Sequence, residues 1–284
     1  MHSIAASRQL GPNVTRLDVV APRIADIRRP GQFVIVRLAD NSERIPLTIA
    51  DADPASGTIA LVIQAVGKST RELVALKPGN AIRDVAGPLG HPTELIESGH
   101  ALCIGGGVGT AVLHPIAQGL HRSGARVTTI IGGRSKHFVI FESELQRFGV
   151  IFACTDDGSY GRKGFVTDAA KEILSRGGID IVYAVGPVPM MRAVSELTRA
   201  FKVRTIVSLN PVMIDGTGMF GGCRVSIGGQ TRFACVDGPE FDGHLVDFVE
   251  LADRLATYRE FEKRALVCAE GQCRLSKNGP QHGS

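Results

Sequence analysis

Tryptophan is absent, and aromatic residues make up only 5% of the 284-residue chain. No basic run with interleaved aromatics appears, so nothing points to nucleic acid. Charge of one sign is also missing. Against 28 Asp and Glu stand 32 Lys and Arg, a net charge of +4, too small to argue for an anionic polymer. No apolar run reaches the roughly 18 residues that a membrane helix needs, so no membrane association is expected. The opening stretch MHSIAASRQLGPNV lacks a charged start followed by an apolar block. No secretory leader is therefore expected, and the cytoplasm is the expected location. Internal repeats are lacking too. Six cysteines stand at 103, 154, 223, 235, 268 and 273. Without a leader they read as reduced thiols or ligands rather than a disulfide framework.

Glycine is plentiful, with 34 copies gathered in loops. Such loops bring backbone close to a phosphate or a cluster, where a Cβ would clash. With 44% hydrophobic and 21% charged residues, the chain is globular and long enough for two domains or three small ones. Residues 1–95 read as short strands: TRLDVVAP, QFVIVRLA, RIPLTIAD, GTIALVIQAV and NAIRDVAGPLG, parted by turn residues. They predict a small barrel, interrupted by one helix in KSTRELVALKPG. Across 96–211 strand and helix alternate. HALCIGG, ARVTTIIGG, VIFACTDDGS, IDIVYAVGP and VRTIVSLN are strands, and the segments between them, FVIFESELQRFG included, read as helices. That rhythm predicts an open parallel sheet with helices on both faces. Residues 212–284 predict a glycine loop, a hairpin in CRVSIGGQTRFACV, a polar helix and a disordered tail after about 275.

Three strand ends of the α/β segment converge on one expected crevice. CIGGGVGTAV follows a strand and opens a helix. There Gly105, Gly106, Gly107, Gly109 and Thr110 can bring backbone N–H groups to a diphosphate. It departs from the G-x-G-x-x-G fingerprint, and no ribose-binding acid ends the next strand. Arg134 stands there instead, a phosphate or ribose partner or simply a surface arginine, so NAD and NADP are not separated. CTDDGSYG offers Asp156, Asp157 and Gly158. AVGPVPMMRAV offers Gly186 and Pro187, small enough to leave room for a nicotinamide ring. Met190 and Met191 read as helix core, and Cys154 as a buried thiol.

In the barrel, Arg44, Ile45, Pro46, Leu47 and Thr48 form a strand with an arginine and a hydroxyl four residues apart. Such a strand can hold a flavin, with the arginine on the diphosphate and the hydroxyl near N5. Alone, an arginine on a barrel rim is usually only solvated. Gly67, Lys68, Ser69 and Thr70 add weight by opening a helix suited to the same diphosphate.

The C-terminal loop IDGTGMFGGCRVSIGG carries Asp215, Phe220 and Cys223, and Cys235 follows in RFACVDG. Asp215, Phe220 and Cys223 have the C-x4-C-x2-C spacing of a plant-type [2Fe–2S] loop. A phenyl ring has no lone pair for iron, so the second ligand position is empty of a donor. Cys268 and Cys273 can replace it or be a plain pair of thiols on the last helix and tail.

In order, RIPLTIAD, AVGKST, GPLG, GGGVGTA, AVGPVPMM, DGTGM and FACVDGPEFDGHLVDF resemble the ferredoxin-reductase-like flavoproteins. The branch most resembled contains the electron-transfer subunit of dihydroorotate dehydrogenase. It also contains the small (alpha) subunit of NADH-dependent reduced ferredoxin:NADP oxidoreductase, also called a sulfide dehydrogenase subunit. The resemblance covers roughly residues 1–255. It implies FAD in the barrel, a nicotinamide nucleotide, NAD(H) or NADP(H), in the α/β domain, and a [2Fe–2S] cluster held by one aspartate and three cysteines. Asp215, Cys223 and Cys235 match three of those ligands, and Phe220 replaces the fourth. It also implies a larger flavin and iron–sulfur partner of the glutamate-synthase small-chain type, with ferredoxin as a candidate acceptor. The expected function is an NAD(P)H-dependent oxidoreductase subunit that passes electrons through FAD, with Thr48 at the ring. The alternatives are a dihydroorotate dehydrogenase electron-transfer subunit, a cluster-less NAD(P)H–flavin reductase and a non-catalytic assembly subunit.

Overall fold

A computed structural model describes residues 1–269. Seven strands form the N-terminal sheet: β1 (His2–Gly11), β2 (Val14–Val20), β3 (Phe33–Arg37), β4 (Arg44–Asp53), β5 (Thr58–Gln64), β6 (Ala81–Ile82) and β7 (Asp84–Leu89). Their order is β6-β1-β2-β5-β4-β3-β7, and each pair is antiparallel. Alternate residues face one interior, where Leu17, Val34, Val36, Ile49, Ile59, Leu61 and Ile63 are buried. Two helices attach to it, α1 (Pro22–Ile27) and α2 (Lys68–Val74). The strand pattern predicts neither β1 nor α1. Nine of the ten β1 residues lie outside the buried class with no regular alternation, which removes the period-2 signal.

The second sheet follows from β8 (His100–Gly106) onward: β9 (Arg126–Gly133), β10 (Gly149–Thr155), β11 (Arg162–Lys163), β12 (Ile181–Val185), β13 (Arg204–Ser208) and, after a hairpin of β14 (Arg224–Ile227) and β15 (Gln230–Phe233), the edge strand β16 (Glu240–Asp242). The order is β11-β10-β9-β8-β12-β13-β16, parallel except for the last pair. β8 and β12 are almost continuous buried runs, as strands covered on both faces must be. The helices are α3 (Gly109–Arg122), α4 (Glu142–Leu145), α5 (Val166–Ser175), α6 (Val188–Phe201), α7 (Phe248–Ala256) and α8 (Arg259–Ala269).

One expected helix is mostly absent. FVIFESELQRFG holds only the four residues of α4. Phe141 adopts φ +63°, and Ile140 and Phe141 are buried in the core shared with α3, so packing overrides helical continuation. Cys273 and the expected tail lie outside the described residues. Cys268 falls within α8.

Candidate functional site

The sheet's topology makes a crevice. From the central strand β8 the chain moves outward through β9 and β10, then returns to the other side at β12. Ligands of open α/β sheets bind outside the carboxyl ends of strands at such a reversal. The loops after β8 and β12 meet there. A Cβ on Gly109 would lie 2.5 Å from the carbonyl oxygen of Val185, so this glycine lets α3 settle against the end of β12. Gly107 is different. Its φ is +55° and a Cβ there would meet nothing within 4 Å, so its open side faces free space. The Gly107 N–H donates to the carbonyl of Gly132, which ties the loop to the end of β9. Asp156 and Asp157 N–H groups donate to the carbonyls of Gly133 and Arg134. Thus the 105–109, 132–134, 155–158 and 185–187 segments form one rim. Hydrogen bonds from Ser159 hold the Asp157 carboxyl below the usual range.

Two expectations at this rim change. Thr110 is only 1% exposed and packs under Gly105, because the first turn of α3 faces the sheet. Its hydroxyl faces the core and not the crevice. The space beside Gly186 is filled: a Cβ there would meet Met190 Cε at 2.8 Å and Gly106 Cα at 3.2 Å. Met190 therefore packs between the two glycine turns, whereas Met191 is core.

On the barrel, register decides the second part of the site. Ile45 and Leu47 pack against the interior, so Arg44, Pro46 and Thr48 share the outer face. Their partners on β3 are Arg37, Ile35 and Phe33. Among the described residues, neither the Arg44 guanidinium nor the Thr48 hydroxyl has a hydrogen-bond or ion-pair partner. Arg37, by contrast, is paired with Asp84 at 2.6 Å, which holds that carboxyl low. The Ser69 hydroxyl donates to Glu43, next to Arg44, so the 44–48 strand and the 67–70 turn are joined. Thr70 accepts from the N–H groups of Val66 and Gly67 at 3.0 and 2.9 Å. The Thr70 hydroxyl thus serves its own turn, the Ser69 hydroxyl is taken by Glu43, and Lys68 lies 3.8 Å from Glu72. Open backbone beside Gly67 and the unpaired Arg44 are what remain for an anion.

The glycine loop lies across the same barrel face. A Cβ on Gly216 would meet Leu89 Cδ1 at 2.5 Å and Ile35 Cγ1 at 3.3 Å. A cavity of about 570 Å³ runs between them, with Ile35, Arg37, Arg44, Arg83 and Asp215 in its lining. Burial pushes the Asp215 carboxyl up, but hydrogen bonds from the Thr217 hydroxyl and the Met219 N–H outweigh it, and the group stays below the ordinary range. Cys223 and Cys235 are 3% and 1% exposed, with sulfurs 3.0 Å apart. Burial, then contact with Cys223, pushes the Cys235 thiol up. The Arg254 side chain from α7 reaches the Gly222 carbonyl at 3.2 Å, and its Nε is buried without a partner among the described residues.

Phe220 is 63% exposed and Met219 84%. Neither offers iron a strong donor. No three His, Cys, Asp or Glu side chains among the described residues gather around a single metal position. The loop carries three candidate donors, Asp215, Cys223 and Cys235, and Phe220 stands at the remaining position of the C-x4-C-x2-C spacing.

A family model described as the iron–sulfur cluster binding domain of dihydroorotate dehydrogenase B matches residues 210–247. A Thermotoga maritima homologue of the dihydroorotate dehydrogenase B (NAD+) electron transfer subunit is 46% identical over 263 residues, 93% of each chain. The electron transfer subunit of dihydroorotate dehydrogenase B from Geobacillus thermodenitrificans is 33% identical over 84% of this chain and 95% of its own. A solved chain of the NADH-dependent reduced ferredoxin-NADP oxidoreductase superposes with a TM-score of 0.88 at 46% identity, covering 93% of this chain and 95% of that one. An Amycolatopsis cytochrome P450 reductase, 21% identical over 71% of this chain and 65% of its own, shares the fold at a TM-score of 0.60. With these relatives spanning nearly its whole length, the chain belongs to the family of dihydroorotate dehydrogenase B electron transfer subunits and their homologues.

Proposed function

We propose that the chain is the electron-transfer flavoprotein subunit of a larger NAD(P)H-dependent oxidoreductase. One observation carries this reading: an unpaired arginine and an unpaired hydroxyl, Arg44 and Thr48, share the outer face of β4, joined through Glu43 and Ser69 to an open glycine turn. FAD held there would supply hydride acceptance and the release of electrons singly or in pairs. Arg44 binds and orients the diphosphate, as a guanidinium does through paired N–H donors. Thr48 offers its hydroxyl to the ring. The Gly107 turn presents backbone to the nucleotide, and Met190 must move aside or form a wall for the nicotinamide. In this reading residues 1–95 hold the flavin, 96–211 the nucleotide, and 212 onward the outlet.

The partner in this reading is a larger subunit of the glutamate-synthase small-chain type, met in the cytoplasm. The exposed Met219 and Phe220 beside the outlet fit contact with another protein. A second reading is favoured by Phe220: a cluster-less NAD(P)H–flavin reductase. Extraction and chromatography should give about one FAD per chain, bleached on anaerobic mixing with NADH or NADPH. FMN, or a flavin that neither nucleotide reduces, defeats the proposal. Co-purification with a flavin- and iron-bearing subunit separates the first reading from the second.

A further inference from the structure

We propose that Cys223 and Cys235 form a redox-active dithiol that exchanges an electron pair with the flavin, in the place where relatives are equipped for an iron–sulfur cluster. The inference rests on the flavin-bearing reading above.

The donor set is the first reason. Asp215, Cys223 and Cys235 are three donors, and the fourth position holds Phe220, whose ring is exposed. The second reason is the sulfur separation. Two thiolates on one tetrahedral metal, with bonds of about 2.3 Å, stand roughly 3.8 Å apart. Here the sulfurs touch at 3.0 Å, which leaves no metal-sized gap between them. Closing to a disulfide bond of about 2.05 Å asks each sulfur to move by only about half an ångström. The hairpin supplies the framework. β14 and β15 pair from Arg224–Phe233 to Ile227–Gln230, and the Ala234 N–H donates to the Cys223 carbonyl at 3.0 Å. The two cysteines therefore stand just beyond the last ladder pair and are held together by backbone.

Position is the third reason. Cys223 and Cys235 lie in the same buried cluster as Phe33 and Ile35, whose side chains share the outer barrel face with Pro46 and Thr48. Both thiols are sealed from solvent, which shields them from small oxidants and from exchange with outside thiols. Their electron partner must then be internal. Oxidised flavin and two thiols give reduced flavin and one disulfide: the S–S bond forms, and two electrons and two protons pass to the ring. In the other direction, NAD(P)H, one proton and the disulfide give NAD(P)+ and two thiols by way of the flavin. No further reactant is required. The chain would store about four electrons, two on the flavin and two on sulfur.

The test is an anaerobic reductive titration of the flavin-loaded chain with dithionite and with NADH, carried out in a Cys268→Ser, Cys273→Ser background and in wild type. The expected uptake is about four electrons per flavin, falling to about two in Cys223→Ser and in Cys235→Ser. Trypsin cuts after Arg224 and Arg232, between the two cysteines. Mass spectrometry of the flavin-loaded chain, after air has reoxidised the flavin, should therefore find the two peptides joined, and NADH treatment should part them. Uptake of about three electrons, with iron and sulfide near two each, means a one-electron cluster and overturns the proposal. Uptake of about two, with both thiols free in the oxidised chain, also overturns it. A flavin that dithionite reduces but NADH and NADPH do not defeats the functional reading instead. The peptide map stands even if a serine variant misfolds. Phe220→Cys, which completes the donor set, should gain iron and lose the joined peptides.

Discussion

The turn at 105–109 and the loop at 214–223 each hold four glycines, yet they use them for different ends. In the turn, Gly105, Gly106 and Gly109 remove Cβ atoms that would strike Thr110, Met190 and the β12 backbone, and only Gly107 faces open space with a positive φ. In the loop, Gly216, Gly218 and Gly221 all take positive φ, and the chain folds back on itself above the barrel. One motif is built for close packing at a sheet end; the other is built for curvature around polar side chains. Three of the four glycines in the first have no room for a Cβ, and three of the four in the second have left-handed backbone.

Breaking this comparison begins with the largest effect. Gly109→Ala should cost about 3 kcal/mol, because backbone cannot yield as a side chain can. Gly107→Ala should cost about 1–2 kcal/mol, the penalty of its left-handed conformation alone. Urea unfolding of the two variants checks the order, and equal losses would mean that backbone conformation, not packing, rules the turn.

Glu240 tests where the two sheets meet. It lies on the edge strand β16, accepts the Thr93 hydroxyl at 2.8 Å, and burial pushes its carboxyl up to about 7. Cys103 and Tyr183, on β8 and β12, feel the same charge. Because the folded value exceeds the unfolded one, the folded chain binds the extra proton, and stability falls as pH rises from about 5 through 7. Glu240→Gln should lack that slope and be more stable than wild type above pH 7, by up to about 3 kcal/mol. Parallel pH profiles in urea would contradict this.

Ligand binding gives smaller effects. Arg44→Ala should weaken FAD binding by about 10- to 100-fold, the loss of charged hydrogen bonds. Thr48→Ala should leave FAD bound and slow its reduction about fivefold, one neutral hydrogen bond's worth. Isothermal titration and stopped-flow reduction separate the two, and a reversed pattern would exchange their roles. Smallest is Phe220→Ser, which should change chain stability by no more than about 0.5 kcal/mol, since its ring is mostly in solvent. A larger loss on thermal unfolding would make Phe220 a structural plug.

Barrel strands β2 to β5, strands β8, β9, β10, β12 and β13 of the second sheet and its major helices were legible because their periodicity is local. The same holds for the hairpin that carries Cys223 and Cys235. β1, α1, β11, β16 and the interrupted helix at 138–149 were not, because their conformation depends on partners distant in sequence. Thr110 shows the limit within the site: the glycine motif marks a helix start, but only packing turns that hydroxyl toward Gly105 and away from the crevice. Ser69 and Thr70 show it again, with hydroxyls engaged by Glu43 and by their own turn.

Residue chemistry alone determined which donors the chain owns: an arginine and a hydroxyl on one strand, glycines where backbone must come close, and Phe220 where iron would need sulfur. These are properties of side chains, whatever their placement. Tertiary structure alone decided which donors remain free and which meet. It left Arg44 and Thr48 unpaired on one face, laid Gly216 over Ile35 and Leu89, and brought two sulfurs twelve residues apart into contact at 3.0 Å. Whether a polar group is available or already satisfied depends on its neighbours in space, and strand register and packing set those neighbours.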